Sequence, residues 1–80
     1  MHVLTVYSRH YCHLCDDMIA ALRQLQGHYA FEIRVVDVDS DAELEMRYGE
    51  RVPVLEVAGR ELCHYFMDAL AVTDFLAKTR

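Results

Sequence analysis

The sequence predicts a single α/β domain spanning residues 1–80, built as strand, helix, strand, helix, strand, strand, helix. Two observations carry that prediction. First, an apolar run, a helical stripe and an alternating run follow one another within about 36 residues, the size of a βαβ unit. Second, two further apolar runs flank a glycine-bearing turn and lead into a last helical stripe, the pattern of an antiparallel hairpin followed by a helix. No linker, internal repeat or low-complexity stretch interrupts this order. A chain of this length suits one compact unit.

Residues 2–8 are apolar almost throughout (Val3-Leu4-Thr5-Val6-Tyr7), as expected of a central strand buried on both faces. From Leu14 to Gly27 the positions Leu14, Met18, Leu22 and Leu25 recur at three- and four-residue spacing, one stripe of an amphipathic helix with Gly27 as its C-cap. Phe31, Ile33 and Val35 alternate with Glu32 and Arg34, a second strand, parallel to the first through a right-handed crossover. Ser40-Asp41-Ala42-Glu43 fits a capping box, opening a short helix that carries Leu44 and Tyr48 to one side and ends at Gly49. Val52–Val57 and Glu61–Tyr65 flank the turn Ala58-Gly59-Arg60 and read as a hairpin. Asp68 is placed to N-cap a final helix with Leu70, Val72, Phe75 and Leu76 on its apolar side.

Composition narrows the function classes. The formal charge of −5 and the scattered basic residues (Arg9, Arg23, Arg34, Arg47, Arg51, Arg60, Lys78, Arg80) argue against a nucleic-acid partner, which calls for a basic stripe. A hydrophobic fraction of 54% can fill a core, while no apolar run approaches the ~20 residues of a membrane span. Strand-like sequence starts at His2 without the apolar segment of a signal peptide, so a cytoplasmic location is expected. Thiols there usually carry chemistry rather than structural disulfides.

The run Arg9-His10-Tyr11-Cys12-His13-Leu14-Cys15 sits where the first strand gives way to the first helix. Cys12 is thereby placed at a helix N-terminus, where unpaired N–H groups and the helix dipole favour an anion. Cys15 lies one turn deeper on the same face. A free thiol titrating near ~8.5 is only a few per cent thiolate at neutral pH, and a helix start worth ~1–2 kcal/mol lowers that by about one unit. Arg9 and His13 are candidates to hold the thiolate further. Closing so short a loop removes little entropy from the unfolded chain, so a structural staple is disfavoured. A zinc site needs four ligands, and neither a second Cys-x-x-Cys nor a His pair is present. Cys63 and His64 could add to one in principle, but strand neighbours point to opposite faces. The spacing on a βα junction therefore reads as a redox pair: attack by Cys12 on a disulfide, then resolution by Cys15.

The lone proline is the second signal. Pro53 opens a strand that would be buried, where a trans proline would delete a ladder hydrogen bond. A cis Val52–Pro53 bond would leave the backbone of Val52 free to pair with an extended partner; the ordinary alternative is a trans proline opening an edge strand.

Taken together, Ser8-Arg9-x-x-Cys12-x-x-Cys15, the Val36-Asp37-Val38-Asp39-Ser40 turn, Tyr48-Gly49-x-Arg51-Val52-Pro53-Val54-Leu55 and Gly59 resemble the glutaredoxin-like branch of the thioredoxin superfamily over essentially the whole chain. Within that branch it looks like the small bacterial glutaredoxin-like proteins of unknown function. The resemblance implies a thioredoxin-like fold: a four-stranded mixed sheet in the order 2-1-3-4, helices on both faces and cis-Pro53. It implies a thiol–disulfide oxidoreductase with Cys12 as nucleophile and Cys15 as resolving thiol. Arg9, Tyr11, His13, Arg51, Val52 and Pro53 would line the substrate site, Val52 offering its backbone to the substrate.

No tightly bound cofactor or metal is expected. The substrate would be a disulfide-containing protein or a small thiol compound, reduced in turn by glutathione or by a thioredoxin-reductase-type flavoenzyme, and the protein would act as a monomer. Leu62-Cys63-His64-Tyr65-Phe66 stands in place of the Gly-Gly-x-Asp segment that binds glutathione in glutaredoxins, which tilts the donor toward the flavoenzyme. Arg51 stands in place of a common threonine. Cys63 reads first as a buried strand thiol, with a third redox or metal-coordinating thiol as the alternative. Two rival classes remain at this point: a metal or iron–sulfur binding module, and a redox-sensing interaction domain.

Overall fold

The computed structural model describes residues 1–78, so Arg80 lies outside the described residues. Its elements are β1 (His2–Ser8), α1 (His13–Leu25), β2 (Phe31–Asp37), a 3-10 turn (Val38–Ser40), α2 (Ala42–Tyr48), β3 (Val54–Val57), β4 (Arg60–His64) and α3 (Ala69–Lys78). The strands form one sheet in the order β2-β1-β3-β4. β1 and β2 are parallel, with Leu4 opposite Ile33 and Ser8 opposite Asp37. β3 runs antiparallel to both β1 and β4.

Each face of the sheet has its own apolar cluster. On one face Leu4, Val6, Phe31, Leu55 and Val57 pack with Met18 and Leu22 of α1 and with Val72 and Leu76 of α3. On the other, Val38, Tyr48 and Val54 are joined by Tyr7, Leu44 and Val52, and the Tyr7 and Tyr48 rings stack with centroids 4.0 Å apart. β1 is therefore central, as its apolar run predicts, but only one face is sealed. Leu4, Val6 and Ser8 are buried while Val3, Thr5 and Tyr7 are partly covered, because α2 is a single short helix on that side.

Several boundaries differ from the sequence reading. α1 is capped at its C-terminus by Gln26 in ordinary helical conformation, not by Gly27, whose N–H donates to the Gln24 carbonyl. The capping-box serine is displaced by one residue: Asp41 is the N-cap of α2, accepting from the Glu43 N–H, because the Ser40 hydroxyl donates to the Asp37 carbonyl. β3 starts at Val54 rather than Val52. The hairpin turn holds two residues rather than three, Ala58 and Gly59, both at positive φ (51° and 80°), the signature of a type I′ turn. Asp68 does cap α3, accepting from the Ala71 N–H, yet Leu70 is 79% exposed. The stripe of α3 runs through Val72 and Leu76, and Leu70 lies outside it.

Candidate active site

The site is built where β1 ends. β1 is hydrogen-bonded on both sides, so its last residue, Ser8, is a rigid base for the loop that follows. Tyr11 takes a left-handed conformation (φ 58°) that turns the chain into α1 and leaves its ring fully exposed. Cys12 is the N-cap residue of α1 and remains extended (φ −112°, ψ 105°). Its carbonyl accepts the first helical bond, from Asp16 N–H at 3.1 Å, and its Sγ accepts the Cys15 N–H, also at 3.1 Å. A sulfur here takes the place usually held by a serine or aspartate oxygen at a helix start. It is met by a donor that the helix itself leaves unpaired.

Cys15 follows one turn later, with a Cα–Cα separation of 5.2 Å and the two sulfurs at disulfide distance. The two differ sharply in access. Cys15 is 1% exposed, whereas Cys12 is only half-buried. Any molecule that reaches the pair therefore meets Cys12 first.

The other candidate residues fall into two groups. His13 is exposed in the first turn of α1, and His10 is exposed with its Nε2 3.3 Å from Asp37. Arg9 does not extend a free cation toward the sulfur. Its Nε lies 3.2 Å from Asp39, its Nη2 3.0 Å from Glu45, and its Nη1 donates to the Gly49 carbonyl at 3.2 Å. Those acids hold its pKa above the ordinary guanidinium value, the Asp39 hydrogen bond foremost. The glycine is needed for this contact. A Cβ at position 49 would sit 2.5 Å from the Glu45 carbonyl oxygen and 2.9 Å from Arg9 Nη2.

The second wall comes from the segment before β3. The sheet register pairs Tyr7 with Val54, which brings Ser8 and Arg9 to the same edge as Pro53 and Val52. The Val52–Pro53 peptide bond is cis. Pro53 is buried, and its carbonyl accepts the Tyr65 N–H at 2.8 Å, tying the end of β4 to this loop. Val52 is half-buried and precedes the β3 ladder. Arg51 pairs through Nη1 with Glu61, donates from Nη2 to the Arg47 carbonyl at 3.3 Å, and lies over the Tyr48 ring.

Cys63 pairs across the sheet with Leu55, two residues beyond Pro53, and packs against the larger core cluster. Burial pushes its thiol pKa up, partly countered by a hydrogen bond from the Asp68 backbone. A register shift between Leu55 and Glu56 leaves Leu62 as an extra residue in β4, and Leu62 and Cys63 both pack on that core. Strict alternation of strand neighbours therefore fails locally. Among the described residues no group of three or more His, Cys, Asp or Glu could hold a metal ion, and no helix is long and apolar enough to cross a membrane.

The residues that sequence reasoning missed are Asp39, Glu45, Glu61 and Tyr65. Asp39, in the turn before α2, and Glu45, on α2, meet Arg9, and Glu61, on β4, meets Arg51; no local spacing in the sequence marks these pairs.

Sheet order, helices on both faces and a Cys-x-x-Cys pair opening α1 define a protein of thioredoxin-like fold. Residues 3–77 match the Glutaredoxin-like domain (DUF836), and the chain belongs to that family. The solution structure of protein Ne2328 from Nitrosomonas europaea is 44% identical with a TM-score of 0.85, covering 94% of this chain and 91% of that one. The X-ray structure of protein XcR50 from X. campestris is also 44% identical, with a TM-score of 0.74 and coverage of 96% and 99%. A malarial protein, 15% identical with a TM-score of 0.69, shares the fold. No curated protein matches the chain.

Proposed function

We propose that the protein is a thiol–disulfide oxidoreductase working through Cys12 and Cys15. The observation that carries this reading is the N-cap sulfur of Cys12, which accepts the Cys15 N–H and stands at disulfide distance from the sealed Cys15 sulfur. The Cys12 thiolate attacks one sulfur of a substrate disulfide, forming a mixed disulfide and releasing the other substrate sulfur as a thiolate, which takes up a proton. Cys15, deprotonated in turn, attacks the Cys12 sulfur. The Cys12–Cys15 disulfide forms and the second substrate thiol leaves. Two electrons pass from the protein to the substrate, and a thiol or flavoenzyme donor returns them.

The roles of the remaining residues follow from their placement. Tyr11 and His13 frame the opening over Cys12, and Val52, ahead of the β3 ladder, offers backbone groups to an extended substrate. Arg9 ties the loop before Cys12 to the end of α2, and Arg51 and Pro53 tie the segment before β3 to α2 and to the end of β4. The protein needs no tightly bound cofactor for this chemistry. It would act as a monomer in the cytoplasm, where a reductant pool is available.

Alkylation of the reduced protein tests the assignment. Iodoacetamide is expected to modify Cys12 at least tenfold faster than Cys15, with a midpoint below the ~8.5 of a free thiol. Equal rates, or a midpoint near that value, would remove the activated nucleophile. Turnover of a small disulfide, measured with glutathione and with a flavoenzyme donor in parallel, identifies the reductant. Cys12→Ser is expected to abolish turnover with both.

A further inference from the structure

We infer that Asp39, Glu45 and Glu61 set the substrate class of this dithiol, turning it away from anionic small disulfides such as glutathione disulfide and toward disulfides carried on neutral or cationic polypeptide. The inference rests on the oxidoreductase reading above and deepens it. Glutathione disulfide is a net anion, and a small open site holds such a ligand with free cations. Two arginines stand on the segments that flank the site, and both are closed by the protein's own carboxylates. All three guanidinium nitrogens of Arg9 have acceptors: Asp39 at 3.2 Å, Glu45 at 3.0 Å and the Gly49 carbonyl at 3.2 Å. Arg51 is held between Glu61 and the Arg47 carbonyl. Gly49 keeps the first cluster shut, since only a residue without a side chain leaves room for the Arg9–Glu45 pair.

The charge that remains faces the wrong way for an anion. Arg9 with Asp39 and Glu45 carries one net negative charge, and Arg51 with Glu61 carries none. Asp16 and Asp37 line the cleft of about 300 Å³ beside Tyr11 together with His10, whose Nε2 is 3.3 Å from Asp37, and Arg9, already closed by its own acids. A disulfide approaching Cys12 therefore enters a field that attracts cations and repels carboxylates. An extended polypeptide meets two further features: a fully exposed Tyr11 ring next to the nucleophile, and Val52 ahead of the β3 ladder, where a strand-like segment can add.

The test compares single-turnover rates of the reduced protein with four disulfides: glutathione disulfide, neutral bis(2-hydroxyethyl) disulfide, and two peptide disulfides of equal length flanked by Lys or by Glu. Each rate is divided by that of the same disulfide with dithiothreitol, which removes differences in leaving group. At low salt the Lys-flanked peptide is expected to react about tenfold faster than the Glu-flanked one, a modest steering effect. Glutathione disulfide should fall with the Glu-flanked peptide, and the gap should shrink as salt is raised. Relative to the neutral disulfide within the same variant, Asp39→Asn with Glu45→Gln is expected to raise the glutathione disulfide rate severalfold by freeing Arg9. Glu61→Gln does the same independently through Arg51. Reaction of all four disulfides with a flat or reversed charge order would overturn this inference alone. Failure to react with any of them faster than dithiothreitol does would overturn the oxidoreductase reading, and the inference with it.

Discussion

Glu61 holds two partners with one carboxylate. One oxygen accepts from Arg51, and the other lies 2.7 Å from His64 Nδ1. The His64 hydrogen bond foremost, joined by Arg51, holds its carboxyl below the ordinary value and outweighs the opposing effect of burial. A carboxylate whose folded pKa is depressed adds stability that is present above its unfolded value, ~4.3, and lost as pH falls through the folded one. Glu61→Gln is therefore expected to lower stability at pH 7 by about 0.5 kcal/mol, the scale of a partly exposed pair. The difference from the parent protein should be smaller at about pH 3, below the unfolded value. Urea midpoints at both pH values check it, and an equal gap at both would show that charge is not the cause. At this scale the cysteine pair and the proline were legible because their spacing has a local meaning. The partners of Arg9 were not: they lie 30, 36 and 40 residues away, and only the folded sheet brings them together.

Among the elements, the β3–β4 hairpin shows most clearly how local sequence and final geometry part company. The glycine marked the turn, but two residues there sit at positive φ, and one of them is Ala58 at 51°. An L-residue with a Cβ in that region costs roughly 1–2 kcal/mol, less for Asn, whose side chain bonds locally. Ala58→Asn gives the Asn-Gly pair that type I′ turns favour. It is expected to raise stability by about 0.5–1 kcal/mol, read as a higher thermal midpoint with unchanged Cys12 alkylation. A lower midpoint would mean that the turn is not of this type. The bulge in β4 was illegible for a related reason. Nothing in Glu61-Leu62-Cys63 marks an extra residue, and it is the packing of Leu62 and Cys63 on one core that reveals it. The Ser40 cap moved because its hydroxyl had a nearer acceptor in Asp37. The exposed Leu70 shows a stripe read one residue too wide.

For the whole molecule, the two sides of the sheet divide the work. The face covered by α1 and α3 holds most of the buried apolar mass, while the α2 face is a small aromatic cluster beneath the Arg51 wall. The folded chain exposes 5286 Å², against about 13,500 Å² for an extended chain of its mass, so it buries only the modest fraction usual for its size. At ~0.05–0.15 kcal/mol per residue, total stability should lie near 4–12 kcal/mol. Leu22 is fully buried in the larger cluster, and Leu22→Ala is expected to cost about 2–5 kcal/mol through lost burial and the cavity left behind. At roughly 4–8 °C per kcal/mol, the thermal midpoint should drop by more than about 8 °C. Chemistry at the site should nevertheless survive. Cys12 is fixed by the first turn of α1 and by the end of β1, and Leu22 lies near the far end of that helix. Cys12 alkylation measured well below the lowered midpoint should therefore match that of the parent protein. If the rate changed while circular dichroism still showed the folded state, the site would depend on packing along the whole of α1, and a local origin for its reactivity would have to be abandoned.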